Sequence, residues 1–239
     1  SIFQVIKNEF KIDLNKASFF AGHSLGEYTA LACSGALSFS HTLTILRIRG
    51  KAMQSSVPKG EGGMLAVLGS EIQRIEKILQ ENINKYECYI ANDNSNGQLV
   101  ISGKNTEIDK LILDLKLNNI KNIKLSVSAP FHCKLMSKAT DIMSEEIKKL
   151  EFTEPHNILV SNVTANQIAG LQELKDLLIK QIENRVRWRE SVINMINNDI
   201  NHFIEIGPGK VLSGLVKRIN KEVKIDTINS QGDIEGLKI

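Results

Sequence analysis

Ser18-Phe19-Phe20-Ala21-Gly22-His23-Ser24-Leu25-Gly26-Glu27 joins a short apolar run to a serine flanked by glycines, and Glu27 to Ser34 continues it with Ala, Leu and small residues. The apolar run reads as a strand and the continuation as a helix, so Ser24 sits on a sharp strand-to-helix turn, the geometry of a nucleophile elbow. Gly22 and Gly26 are expected to let neighbouring backbone pass close to the turn. The helix N-terminus leaves N–H groups free to stabilise a developing oxyanion. A G-x-S-x-G string by itself is weak; its strand-turn-helix context is what makes Ser24 a candidate nucleophile.

Downstream, Gly35-Ala36-Leu37-Ser38 reads as a turn and Phe39 to Met53 as a second helix. Leu46, Arg49 and Met53 share one face of it, whereas Arg47 points the other way. An arginine on the apolar face implies a waiting anion, because burying an unpaired guanidinium is costly; the plainer alternative is a snorkelling or structurally paired side chain.

Pro58-Lys59-Gly60-Glu61-Gly62-Gly63 is a linker, after which the texture changes. Strands are predicted at 64–68, 86–92, 98–102 and 120–127. Helices are predicted over 70–82 and from an N-cap at Thr106, with Ile108, Leu111, Ile112 and Leu115 at helical spacing. The order βαββαβ is the split-βαβ, ferredoxin-like unit, predicted as a small subdomain over 60–128 inserted into a core formed by 1–59 and 129–239. The core resumes with the loop Ser128-Ala129-Pro130-Phe131-His132. There follow a helix over 134–150, a strand over 158–162, helices over 171–182 and 188–197, and a strand over 203–206 before Gly207-Pro208-Gly209. Alternating strands and helices predict an α/β fold with a mostly parallel sheet covered on both faces.

Composition bounds the function. The 239 residues are 42% hydrophobic, enough for a substantial core. The charge is nearly balanced, with 30 basic and 27 acidic residues, and does not argue for nucleic acid. Cys33, Cys88 and Cys133 are widely spaced, without a CxxC pair, which supports neither a disulfide framework nor a zinc site. No run of 18 apolar residues and no signal-peptide pattern is present, so the expectation is a protein of the reducing cytoplasm, not bound to membrane. Ile2, Val5, Ile6 and Phe10 open the chain at helical spacing without a methionine, which reads as a fragment whose beginning is missing.

A nucleophilic serine needs a base. His23 lies on the elbow with its ring directed away from Ser24, and His41 and His156 read as surface residues. His132, in a proline-containing loop directly before a helix, and His202, with Asp199 nearby as a third member, remain equal candidates on spacing. Gln181 falls on the buried side of its helix with Leu174 and Leu178, where an amide must be hydrogen-bonded; it either supports a catalytic loop or caps local backbone.

Together GHSLGEYTAL (22–31), IRGKAMQ (48–54), NSNGQLVISG (94–103), SAPFHCKLM (128–136), RVRW (185–188) and EIGPGKVLSGL (205–215) resemble the malonyl-CoA:acyl-carrier-protein transacylases of bacterial type II fatty acid synthesis, in order and across essentially the whole chain. The resemblance implies a hydrolase-like core with a ferredoxin-like insertion and a Ser-His dyad of Ser24 and His132. It places a main-chain carbonyl at Gln181 behind the imidazole, Arg49 on the malonyl carboxylate and the N–H of Leu25 in the oxyanion hole. It also implies malonyl-CoA and acyl carrier protein as partners, a monomer, and no cofactor or metal. The family's GQGSQ motif, on a first strand, does not occur here, so the chain reads as N-terminally truncated. Alternatives are an acyltransferase domain of polyketide synthesis, a serine esterase using His202, for which an inward Arg49 has no use, and an inactive carrier-protein-binding remnant. Lys51, Arg185, Arg187 and Arg189 are candidates for docking an acidic carrier protein.

Overall fold

The computed structural model describes residues 2–237. Helix α1 (Ile2–Asn8) leads through a short 3-10 turn to β1 (Phe19–Phe20), and the elbow turns the chain into α2 (Leu25–Cys33). Helix α3 (Phe39–Ser55) follows, its N-terminus capped by the Ser38 hydroxyl, which accepts from His41 N.

The next segment forms a four-stranded antiparallel sheet from β2 (Gly62–Leu68), β3 (Cys88–Ser95), β4 (Gln98–Lys104) and β5 (Lys121–Lys124), in spatial order β3-β4-β2-β5. Helices α4 (Ile72–Glu81) and α5 (Asn105–Leu117) supply the crossovers. Register is set by apolar side chains that must share one face: Leu65 stands opposite Ile101, and Val67 opposite Leu99. With Ile75 of α4 and Ile108, Leu111 and Leu115 of α5 they form one buried cluster. Each such side chain contributes about 1.5–3 kcal/mol of burial, so this segment carries a core of its own.

The remaining elements are α6 (Ser137–Lys148), β6 (Ile158–Leu159), α7 (Leu171–Lys180), α8 (Trp188–Asn197), β7 (His202–Ile206), α9 (Val211–Ile219), β8 (Lys224–Ile228) and α10 (Gln231–Glu235). Here every strand pair is parallel, but the strands form two separate two-stranded sheets, β1-β6 and β7-β8, in place of the single sheet predicted. Tyr28 and Leu31 of α2, Ile45 and Met53 of α3, Met143 and Ile147 of α6, and Leu174 and Leu178 of α7 converge in one buried cluster beneath the elbow.

Several boundaries differ from the sequence reading for local reasons. Thr106 is not the cap of α5: Lys104 is, and Asn105 inside the first turn donates to the carbonyls of Gly60 and Gly62, tying the helix to the linker. The strand predicted over 120–127 shortens to Lys121–Lys124. The one predicted over 158–162 stops at Leu159, because Ser161 N turns to the carbonyl of Asn166. The helix predicted from Lys134 starts as a 3-10 turn, with α6 proper beginning at Ser137. Helix α7 ends at Lys180, which makes Gln181 its C-cap.

Two sets of bonds lock the antiparallel sheet to the rest. Val186 N donates to Ala91 O at 2.8 Å and its carbonyl accepts from Asp93 N at 2.9 Å, extending the β3 edge with a strand-like bridge. The Ser102 hydroxyl of β4 donates to Phe131 O at 2.6 Å, fixing the loop that carries His132.

Candidate active site

The elbow is held in an unusual backbone conformation. Ser24 has φ 53° and ψ −106°, a region that costs a non-glycine residue about 1–3 kcal/mol. Three features hold it there. Gly22 is so close to the first turn of α2 that a Cβ on it would lie 2.0 Å from the carbonyl of Gly26. The Asn162 side chain bridges the turn, its Oδ1 accepting from Ser24 N at 2.6 Å and its Nδ2 donating to Gly22 O at 2.8 Å. The Ser24 carbonyl accepts from Gln181 Nε2 at 3.0 Å. Gly26 does not meet the steric expectation placed on it, since a Cβ there would touch nothing within 4 Å; it is the passing backbone, and Gly22 is what yields to it.

Ser24 is the N-cap of α2 yet makes no capping bond with its side chain. Its Oγ lies instead 2.7 Å from His132 Nε2. His132, buried and itself at φ 57°, has its Nδ1 2.9 Å from the main-chain carbonyl of Gln181. A carbonyl only accepts, so Nδ1 carries the hydrogen and Nε2 is the acceptor; the Ser24 hydroxyl therefore donates to the ring. Burial, and then the Arg49 charge, push the His132 pKa down to about 3, opposed by the Gln181 carbonyl. The imidazole is thus neutral, able to accept a proton, throughout the physiological range.

Arg49 is 6% exposed. Its Nη2 donates both to Ser24 Oγ and to Gln181 Oε1, each at 2.9 Å. Its guanidinium lies 5.6 Å from the Tyr28 ring centroid, and Nε is buried without a hydrogen-bond partner. Among the described residues no carboxylate forms a salt bridge with it, so its charge faces the serine without a direct counter-ion. Leu25 is the first residue of α2, and its N–H therefore has no acceptor within the helix.

The other histidines lie elsewhere in the network. His23 Nε2 meets Asn94 Oδ1 at 2.8 Å with its ring against Trp188. His202 pairs with Asp226 at 2.7 Å, not with Asp199, because β7 and β8 run in parallel register and Asp199 is left in the turn before β7. His41 and His156 are exposed. Of the docking candidates, Lys51 is exposed while the three arginines are engaged: Arg185 with Glu76, Arg187 with Glu190, and Arg189 in a fork onto the buried Asp93.

Two residues of the site went unnoticed in the sequence, Asn162 and Glu27. Glu27 is 2% exposed; its Oε2 accepts from Gln181 Nε2 at 2.6 Å, and both its oxygens lie 3.4 Å from Asn162 N. Burial raises its pKa to about 7, against the pull of Gln181, Asn162 and Arg49. The available signal was a carboxylate in the first turn of a helix rich in Ala and Leu, and an amide directly after an apolar strand.

A cleft of about 590 Å³ opens onto His132, walled by Leu79 of α4, Tyr89 and Ile90 of β3, and Asn184 and Arg185 after α7. Among the described residues no group of three or more His, Cys, Asp or Glu side chains converges as a metal site, and no helix is long and apolar enough to cross a membrane.

The acyl transferase domain family matches residues 15–232. A malonyl CoA-acyl carrier protein transacylase of Bacillus subtilis is 37% identical over 232 residues, 96% of this chain and 73% of the relative. Among solved structures, the acyl-carrier-protein-S-malonyltransferase of Bartonella henselae superposes with a TM-score of 0.94 at 38% identity, covering 98% of this chain and 75% of that one. A malonyl-transacylase in complex with a type II polyketide acyl-carrier protein superposes at 0.91 with 33% identity, covering 98% and 76%.

Proposed function

Since the chain belongs to the malonyl CoA-acyl carrier protein transacylases of the acyl transferase domain family, we propose that it moves a malonyl group from malonyl-CoA to the phosphopantetheine thiol of acyl carrier protein, in fatty acid synthesis, through an ester on Ser24. The observation that carries this reading is the unbroken chain from Gln181 O through His132 to Ser24 Oγ, with the Arg49 guanidinium 2.9 Å from the same oxygen.

Ser24 Oγ gives its proton to His132 Nε2 as it attacks the thioester carbon, and the negative charge passes to the carbonyl oxygen, toward which the Leu25 N–H is directed. Collapse expels the coenzyme A sulfur, which takes the proton from Nε2. In the second half the carrier-protein thiol gives its proton to His132, attacks the ester carbonyl, and Ser24 leaves with the proton restored. The imidazolium of each half-reaction is supported by a carbonyl dipole, so the dyad works without a carboxylate. Arg49 suits a carboxylated acyl group: once Oγ is esterified, the Nη2 hydrogen it held is released, and a planar fork can take the malonyl carboxylate by two charge-assisted bonds. The 590 Å³ cleft is bordered by His132, and in this reading it admits the pantetheine arm from the side of the base.

In this reading residues 60–128 are the ferredoxin-like subdomain, their strand order being that of a split βαβ unit, and 1–59 with 129–239 are the hydrolase-like catalytic core. The protein acts as a monomer of the cytoplasm, without cofactor. The test is intact-mass detection of the acyl-enzyme after mixing with malonyl-CoA: a malonyl adduct on the wild type and none on Ser24→Ala is expected, and folded wild-type protein that takes up no malonyl group overturns the assignment.

A further inference from the structure

Resting on that reading, we infer that Glu27 is the positioning residue behind the preference for a carboxylated acyl group, because its contact with the Gln181 side-chain amide keeps the amide oxygen facing Arg49. Every polar atom of the Gln181 side chain is assigned. Nε2 donates to Glu27 Oε2 at 2.6 Å and to Ser24 O at 3.0 Å, and Oε1 accepts from Arg49 Nη2 at 2.9 Å. Were the amide turned over with Glu27 ionised, its oxygen would face two acceptors and its NH2 group a guanidinium, so no hydrogen bond of the three would survive.

This orientation matters most when acyl is on the enzyme. Arg49 donates to Ser24 Oγ and Gln181 Oε1, and among the described residues its Nε has no hydrogen-bond partner. Esterification of Ser24 weakens the first, leaving the amide oxygen to hold the fork against the incoming carboxylate. Gln181 cannot be held by its backbone alone for this purpose. Its main-chain N is bonded to Leu177 O and its carbonyl to His132, and these fix the base while leaving the side-chain torsions free. Glu27 fixes those torsions: it is buried, and its short bond to Nε2 is of the charge-assisted kind when the carboxyl is ionised. Base and anion-binding arginine are thereby set by two different ends of one residue, and the side-chain end is the one that Glu27 holds.

The experiment is single-turnover acylation with malonyl-CoA and with acetyl-CoA, on wild type, Glu27→Ala, Glu27→Asp and Glu27→Gln, each scored as soluble protein with the wild-type circular dichroism. Alanine removes the contact, and aspartate keeps the charge but falls a methylene short. Both are expected to lower the malonyl-to-acetyl rate ratio about tenfold or more, the size of a lost hydrogen bond to a charged group. Glutamine preserves an acceptor oxygen at the same reach and is expected to stay within about threefold of wild type on the same scale. Parallel loss of both substrates, or an unchanged ratio in the aspartate variant, overturns the inference; aspartate also decides the matter should alanine fail to fold. Failure of the wild type itself to take malonyl would instead overturn the functional assignment.

Discussion

Replacing Asn162 with alanine tests whether the elbow is held from across the fold. The side chain satisfies Ser24 N and Gly22 O, at 2.6 and 2.8 Å, from 138 and 140 residues away. Alanine leaves one main-chain donor and one main-chain acceptor beneath the elbow without that partner. Each such loss costs about 1–3 kcal/mol, so a destabilisation of about 2–6 kcal/mol is expected. The same two bonds help hold Ser24 at φ 53°, a conformation about 1–3 kcal/mol above its relaxed alternatives, and once they go the turn can unwind toward an ordinary helix start. Oγ then leaves its 2.7 Å contact with His132, and a displacement of about 1 Å is worth about a hundredfold in rate. Urea unfolding, with the slope checked against wild type, reads the first effect. Rapid-quench measurement of acyl-enzyme formation at saturating malonyl-CoA reads the second. Stability within about 0.5 kcal/mol of wild type, together with an unaltered acylation rate, would refute the reasoning.

Arg49→Lys keeps the charge but not the fork; malonyl acylation is expected to fall about 10- to 100-fold, as for one lost charged hydrogen bond, while acetyl acylation, followed by the same mass assay, changes far less. With the His132 pKa lowered to about 3, the base stays unprotonated as pH drops through 6.5; in the Glu27→Gln variant, which lacks the carboxyl raised to about 7, single-turnover acylation should remain flat down to about pH 5, and an inflection near 6.5 would contradict the environment assigned to His132. The linked stability has the opposite sense to a salt-bridged histidine: the unfolded chain takes up the proton first, so this residue's contribution is present above 6.5 and is lost as pH falls toward the folded value. Gly22→Ala drives a methyl group into the Gly26 carbonyl and is expected to destabilise by more than about 3 kcal/mol in thermal or chemical unfolding, whereas Gly26→Ala, with open space around it, should stay within about 1 kcal/mol.

The amino-acid sequence alone determined what depends on neighbours in the chain. The elbow is legible because a strand, a glycine-flanked serine and a helix follow one another within some 16 residues, and α4, α5 and α8 are legible because their apolar residues recur at helical spacing. The inward direction of Arg49 came from the same periodicity. Tertiary structure decided everything that joins residues distant along the chain. His132 meets Ser24 across 108 positions and Gln181 meets Glu27 across 154. Periodicity carries no information about such pairings, and so His132 and His202 stood equal on spacing alone. Only the fold gives His202 to Asp226 and His132 to the serine. Strand ends were misplaced for a related reason: β6 pairs with a β1 of only two residues and its chain turns away at Ser161, and β5 ends at Lys124 although its partner β2 runs on to Gly62, none of which the alternation of apolar residues shows. Glu27 and Asn162 were invisible because a buried polar side chain shows its purpose only through the donors and acceptors brought to it, and those arrive from the elbow, the segment after β6 and the C-cap of α7 when the chain closes around the elbow.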